Sequence, residues 1–331
     1  MHGRGPALRR VVKQLGFRAI HTLRGSPWQR GGGLRVLVQT CRGFEERHWR
    51  EALDAPRRRW ADRVEVLYTR CDLAFGAALH RAQVCCVPSL GDLPDGVGRE
   101  LRWVHTLVAG VDSADMQGPP PFQLTTSRGI AANGMAQHAL ALMTALGRDP
   151  RTHTVVVVGL GAYGTAAARI CRARGARVVG VTRRPGRTAG LCDQEVAFDN
   201  LAAALPLADI VVLAVPLTPR TERLIGRDEL AAMKRTALVI NVARGRLIDE
   251  HALADALHGG TIGGAGLDVL SQEPPPSDHP LHGCPNLIVT PHVAGNIHRF
   301  RQAITARFVA NLGAFLDNGG LEGIVPAADW A

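Results

Sequence analysis

No stretch of this 331-residue chain approaches about twenty consecutive apolar residues, so nothing in it reads as a membrane-crossing helix. There is also no C-x-x-C pair. The seven cysteines, Cys41, Cys71, Cys85, Cys86, Cys171, Cys192 and Cys284, are odd in number and scattered, which predicts reduced thiols, an intracellular protein and no metal site. Lysine is nearly missing. Only Lys13 and Lys234 are lysines, so a net charge of +10 at pH 7 is carried by arginine, as a coding bias would produce without any function. The densest basic region is a terminal tail rather than a folded face. Nucleic acid is therefore not an expected partner, and binding that collapses with salt would be the mark of that alternative.

That tail, residues 1–33, contains no Asp or Glu. It carries Arg4, Arg9, Arg10, Lys13, Arg18, Arg24 and Arg30 among Leu8, Val11, Val12, Leu15, Phe17 and Ile20, a basic amphipathic pattern without a secretory core. Two readings stay open: a transit peptide, which implies mitochondria, or a disordered basic extension on a cytoplasmic protein. Gly31–Gly33 reads as the linker into the folded body. With 46% hydrophobic residues and this length, the chain can bury two globular domains.

The organising stretch is T-V-V-V-V-G-L-G-A-Y-G, 154–164. Four valines without polar alternation predict a strand buried on both faces, and a Gly-x-Gly-x-x-Gly turn follows at once. Gly159 permits the reversal, Gly161 lets backbone approach a pyrophosphate, and Gly164 lets the helix from Ala162 to Arg174 pack on the strand. A second strand, 176–182, arrives at the expected distance. The pattern predicts dinucleotide binding by Gly159, Leu160, Gly161, Ala162, Tyr163 and Gly164.

The end of that second strand has no carboxylate to hold a ribose hydroxyl. It offers Thr182, Arg183 and Arg184, with Arg187 close behind, and guanidinium groups suit a 2′-phosphate. NADP(H) is favoured, with NAD(H) as the alternative. Ordinary solvated loop charge is the competing explanation of these arginines.

Upstream, 34–40, 64–68, 84–87 and 103–108 read as strands, with helices near 45–53 and 73–81 between them. Alternating strands and helices predict a second parallel sheet, one without a glycine-rich phosphate loop. Val108, Ala109, Gly110 and Asp112 stand at the C-terminal end of its fourth strand, either as an anion-receiving backbone or as a plain tight turn with Asp112 capping the next segment. After the rigid 119–121 prolines, Asn133 reads as the N-cap of a helix over 134–146 that crosses between domains, with His138 packed or facing solvent.

Downstream, 210–217 and 237–243 read as further buried strands, and 263–269 and 287–293 as two more. Their ends deliver Arg244, Asp268 and His292 to one sheet edge, with Glu273 in the loop between the last two. An arginine that can grip a carboxylate, a glutamate that can orient an imidazole and a histidine that can move a proton make a catalytic constellation.

At these residues the chain resembles the D-isomer-specific 2-hydroxyacid dehydrogenase family, in particular its glyoxylate/hydroxypyruvate reductase-like members. The resemblance rests on G-L-G-A-Y-G (159–164), V-P-L-T-P (215–219), N-V-A-R-G (241–245), G-L-D-V (266–269), Q-E-P-P-P with H-P-L (272–281) and T-P-H-V-A-G (290–295). It implies an α/β protein of two Rossmann-like domains with doubly wound parallel sheets. The expected division is a substrate domain over 34–147 and 296–331, split around a cofactor domain over 148–295. It implies Arg244 as substrate-binding arginine, His292 as general acid/base, Glu273 as its partner, and Val108–Gly110 as carboxylate-binding backbone. Cofactor contacts are then expected from Val215, Pro216, Thr221, Val242, Ala243, Arg244, His292 and Asp268, the last at the nicotinamide carboxamide.

The implied reaction is reduction of a small 2-oxo acid to the D-2-hydroxy acid. Two departures bear on it. Gln137 stands where the family usually has a glutamate, and only a short link, 147–153, remains where family members carry an arm that embraces a partner subunit. The family implies a homodimer, and the missing arm argues against the usual one. A non-catalytic dinucleotide sensor or protein-interaction scaffold is the alternative function, favoured by that loss and opposed by the intact Arg244, Glu273 and His292.

Overall fold

The computed structural model describes residues 33–325 apart from 42, 61–62, 71, 94–98, 111–119, 187–189 and 297. Nearly all of the basic extension, and Asp112, Pro119 and Arg187, lie outside the described residues. The chain folds as two compact units, one of residues up to Arg128 with those from Arg299, the other Gly129–His298.

The first unit opens with β1 (Leu34–Gln39), α1 (Glu46–Arg59), β2 (Val64–Thr69), α2 (Asp72–Leu79), β3 (Val84–Val87), β4 (Trp103–Thr106) and β5 (Gln123–Thr126). All strand pairs are parallel, in the order β2-β1-β3-β4-β5. Three results differ from the sequence expectation. Helix α1 runs through Pro56 to Arg59 instead of stopping near 53. The fourth strand ends at Thr106, so Val108 already lies in the loop. Strand β5 is unexpected, because Q-L-T-T looks polar. Its threonines are nevertheless fully buried, and Thr125 Oγ1 accepts a hydrogen bond of 2.8 Å from Trp103 Nε1. A partnered hydroxyl makes burial of a β-branched side chain tolerable.

The second unit holds α3 (Ala132–Ala145), β6 (Thr154–Val158), α4 (Ala162–Ala173), β7 (Arg177–Thr182), β8 (Gln194–Ala197), α5 (Leu201–Ala204) and β9 (Ile210–Leu213). It continues with α6 (Arg227–Ala232), β10 (Leu238–Asn241), α7 (Glu250–His258), β11 (Gly264–Leu267) and β12 (Leu287–Val289). Its seven strands are parallel in the order β12-β11-β10-β9-β6-β7-β8, a doubly wound sheet whose strand order reverses between β6 and β9. The valine run is buried on both faces as expected. Val155 and Val157 pack with Ala139, Leu142 and Ala167, while Val156 and Val158 pack with Leu205, Ile225 and Leu253. Each fully buried valine contributes roughly 1.5 kcal/mol or more.

Helix α3 corrects two expectations. Its N-cap is Ala131 with no capping side chain, and Asn133 is an exposed residue of the first turn. The helix also counts with the second unit, so the division falls at 128/129 rather than 147/148. The reason is packing: α3 buries Ala136, Ala139, Leu142 and Met143 against the second sheet. At Gly266 a Cβ would stand 2.9 Å from Leu142 Cβ, so the strand needs its glycine for the helix to approach. The short link after α3 is folded as tight turns, with Arg148 N–H on Met143 O and Gly147 and Thr152 at positive φ. The chain then returns to the first unit, at 298/299 rather than the expected 295/296, through α8 (Phe300–Leu316).

Candidate active site

The glycine turn fits a pyrophosphate for three separate steric reasons. Gly159 has φ 99°, and a Cβ there would lie 2.5 Å from the Ala214 carbonyl oxygen. At Gly164 a Cβ would fall 1.8 Å from the Gly159 oxygen. At Gly161, by contrast, a Cβ would meet nothing within 4 Å, which is the open space a phosphate needs. Gly161 caps α4 without a capping side chain, and the first helical bond is Thr165 N–H to Gly161 O at 2.8 Å. The leading amides of a 12-residue helix therefore face that space with its positive dipole end. Beside it, the Tyr163 hydroxyl is buried without a partner, and burial drives its ionisation far above the usual phenol range.

The neighbouring edges are tied to this turn by backbone. Gly159 N–H bonds Val181 O and Ala214 N–H bonds Val158 O, both at 2.8 Å. Thr182, Arg183 and Arg184 stand at the C-terminal end of β7 with no carboxylate among them, and Arg184 is exposed. In the loop after β9, Val215 Cγ1 closes on Gly159, while the Thr221 hydroxyl is engaged inside the loop with Pro216 O at 2.7 Å.

The end of β10 is shaped by a buried asparagine. Asn241 accepts from Ala243 N–H at 3.0 Å and donates to Arg244 O at 2.8 Å, fixing the turn Val242–Arg244. Arg244 Nη1 bonds the Ala243 carbonyl at 2.8 Å. Gly245 is sterically required, because a Cβ would sit 2.0 Å from the Leu270 carbonyl carbon. That close crossing sets the arginine turn against the loop that bears Glu273.

Glu273 is held at both oxygens. Oε1 accepts from Leu270 N–H at 2.9 Å and Oε2 lies 2.7 Å from His292 Nδ1. A carboxylate at Nδ1 fixes the tautomer and the orientation of the ring. The imidazole is half exposed. The Glu273 loop is anchored further back by Glu250 of α7, which accepts from Ser271 N–H at 2.7 Å and pairs with buried His279 at 3.2 Å.

Asp268 is almost fully buried at the end of β11. Its carboxylate takes Thr290 Oγ1 at 2.5 Å, Val293 N–H at 2.9 Å and Ala294 N–H at 2.8 Å. It thus grips the loop carrying His292. The linear pattern does not single out Asn241, Glu250, Ser271, His279 or Thr290, although Asn241, His279 and Thr290 each stand inside a motif that carries the resemblance. His138, expected to be packed or solvent-facing, hydrogen-bonds Thr290 Oγ1 at 2.9 Å.

Val108–Gly110 belong to the other unit, directly after β4. Val108 N–H is taken by Pro88 O at 3.3 Å. Among the described residues the amides of Ala109 and Gly110 donate to no protein group. The six described cysteines are free, and burial pushes the thiols of Cys171 and Cys192 up to about 11, so neither is a thiolate nucleophile. Among the described residues no cluster of His, Cys, Asp or Glu is arranged to hold a metal, and no helix is long and apolar enough to cross a membrane.

Residues 123–294 match the family model described as D-isomer specific 2-hydroxyacid dehydrogenase, NAD binding domain. The chain belongs to this family. It is therefore an NAD(P)-dependent 2-hydroxyacid dehydrogenase by descent, with the α/β fold of that family. Glycerate dehydrogenase of Methylorubrum extorquens is 35% identical over 260 residues, covering 69% of this chain and 78% of the relative. Glyoxylate reductase of Korarchaeum cryptofilum is 39% identical over 246 residues, covering 65% and 73%. Among solved structures, an NADPH-dependent glyoxylate/hydroxypyruvate reductase from Sinorhizobium meliloti, in complex with NADP and malonate, superposes with TM-score 0.69 at 25% identity over 89% of this chain and 97% of that one. A D-isomer specific 2-hydroxyacid dehydrogenase from Xanthobacter autotrophicus Py2 in complex with NADPH and MES gives TM-score 0.73 at 28% identity, over 89% and 99%.

Proposed function

We propose that this dehydrogenase reduces a small 2-oxo acid of the glyoxylate or hydroxypyruvate kind to its D-2-hydroxy acid, with NADPH as preferred reductant. The observation that carries the reading is the 2.7 Å His292–Glu273 pair on the same sheet edge as the glycine cradle. Relatives named for these substrates, and neighbours solved with NADP or NADPH, support it.

Gly159–Gly164 and the leading amides of α4 would hold the cofactor pyrophosphate, and Arg183 and Arg184 the 2′-phosphate. When bound, the reduced nicotinamide supplies the hydride. Arg244 binds the substrate carboxylate and draws electron density toward the carbonyl oxygen. In the first unit, the Ala109 and Gly110 amides are donors suited to a carboxylate. As negative charge grows on the carbonyl oxygen, His292 donates the Nε2 proton to it, while Glu273 keeps the ring oriented and compensates its positive charge.

The test is steady-state oxidation of NADPH with glyoxylate and with hydroxypyruvate, and NADH for comparison. His292→Ala should lower turnover by about 10²-fold or more while the Kd for NADPH changes by less than about threefold. Equal loss of both would remove His292 from the role. Arg183→Ala with Arg184→Ala should weaken NADPH by about tenfold, some 1.4 kcal/mol, and leave NADH nearly unchanged. Binding of NADPH with no turnover of either acid would instead support the sensor or scaffold.

A further inference from the structure

We infer that His138 and Thr290 are positioning residues for His292, acting through the buried Asp268 carboxylate that holds residue 292 in a left-handed backbone conformation. The inference rests on the proposed role of His292 and adds how that side chain is kept in place.

His292 has φ 54°, a region that residues bearing a Cβ avoid unless the surroundings impose it. Here the surroundings can be named. His292 N–H bonds Thr290 O at 3.0 Å, and Asp268 takes the next two amides, one on each oxygen. A carboxylate bridging two successive N–H groups over-determines the turn just after the strained residue. The alternative, a relaxed φ at 292, would pull at least one amide off Asp268 and move Nδ1 away from Glu273.

Asp268 is in turn fixed by a chain of donors that runs back to a helix. Thr290 has one hydroxyl proton. At 2.5 Å from Asp268 Oδ1 and 3.5 Å from Leu267 O, that proton goes to the carboxylate. The hydroxyl oxygen then has only acceptor capacity for His138, 2.9 Å away, so His138 carries its proton on Nε2. The same nitrogen is 3.5 Å from Asp268 Oδ1, placing a donor beside a buried carboxylate that no Lys or Arg neutralises among the ion pairs of the described residues. His138 sits in the middle of α3, whose apolar face is locked against the sheet. Order thus passes from α3 through His138, Thr290 and Asp268 to the backbone of the acid/base residue. The linear pattern alone assigns Asp268 to the cofactor and His138 to packing.

The test compares Thr290→Val, Thr290→Ser, His138→Leu and His138→Gln in the full chain. Thr290→Val should lower kcat by about 10- to 100-fold, with KM for the 2-oxo acid and Kd for NADPH within about threefold of the parent. Thr290→Ser should restore most of the rate. His138→Leu should cost about tenfold, His138→Gln less, and the Thr290→Val/His138→Leu pair should be no slower than Thr290→Val alone, as expected of residues in one chain of contacts. Independently of turnover, hydrogen exchange at the Val293 and Ala294 amides should quicken at least about tenfold in Thr290→Val without cofactor, while α4 stays protected.

Unchanged exchange with kcat within threefold of the parent overturns the proposal. So does a parallel loss of kcat and NADPH affinity that Thr290→Ser fails to rescue, the mark of a merely structural residue. If Thr290→Val does not fold, the partly exposed His138→Leu carries the same comparisons. A parent enzyme that turns over no 2-oxo acid defeats the proposed function, and the exchange readout then decides the clamp alone.

Discussion

His105 shows at the scale of one residue what the linear pattern cannot carry. Its ring lies against Phe308 and Trp103, its Nδ1 is 2.8 Å from Thr125 Oγ1, and Nε2 is buried with no partner. Burial, with help from Arg307, holds its ionisation down at about 3. The unfolded chain titrates near 6.5, so between these values the unfolded state binds one proton more and stability falls as pH falls. The contribution is intact above about pH 6.5 and is lost by up to roughly 1.4 kcal/mol per pH unit below it. Urea unfolding at pH 7 and pH 5 should therefore show a steeper acid loss in the parent than in His105→Phe. Equal slopes would mean that His105 is not held neutral. Apart from Trp103, nothing near His105 in the sequence announces this, because the other partners come from β5 and α8. The proposed site residues Arg244, Asp268 and His292 were legible for the opposite reason: each follows a recognisable buried strand, and strand ends are where an open sheet presents its chemistry.

At the scale of the element, legibility followed the strength of local constraint. The β6 turn could be read in full because four valines allow only a doubly buried strand and each glycine answers a steric demand. Those demands differ, and they separate by mutation. Gly164→Ala drives a Cβ into the Gly159 carbonyl, so it should destabilise the fold by about 3 kcal/mol or more. Gly161→Ala meets open space at an extended backbone, so thermal stability should change little while NADPH binding weakens by about tenfold or more. Loss of folding in both variants would refute the division of roles. By the same measure β5 escaped notice because its burial depends on hydroxyl partners 20 or so residues away, as Trp103 and His105 are from Thr125. The α3 cap was misplaced because Asn133 looks like a capping residue locally, while tertiary packing starts the helix earlier.

At the scale of the molecule, the first unit is assembled from two separate stretches of chain, and α8 packs the returning one against it. Phe308 of α8 is fully buried, stacked on Trp103 at 5.3 Å and edge-on to Trp49 at 5.4 Å, with α1 packed alongside. The sequence carries no tryptophan between 104 and 329, so none lies in Gly129–His298, and the described ones, Trp49, Trp60 and Trp103, report on the first unit. The proposed cofactor cradle, by contrast, lies wholly in the second unit. Phe308→Ala removes the ring that joins Trp49, Trp103 and His105, and truncations of this kind cost about 3–5 kcal/mol. Denaturant unfolding followed by tryptophan fluorescence should shift to a clearly lower midpoint, while NADPH titrated in native buffer should bind within about threefold of the parent. The two readouts are physically independent, so the outcome is decisive. If NADPH affinity falls in step with the tryptophan midpoint, the second unit does not hold its own fold and the two units stand or fall together. If it persists, the chain has placed its chemistry on a unit whose stability does not depend on the return of α8.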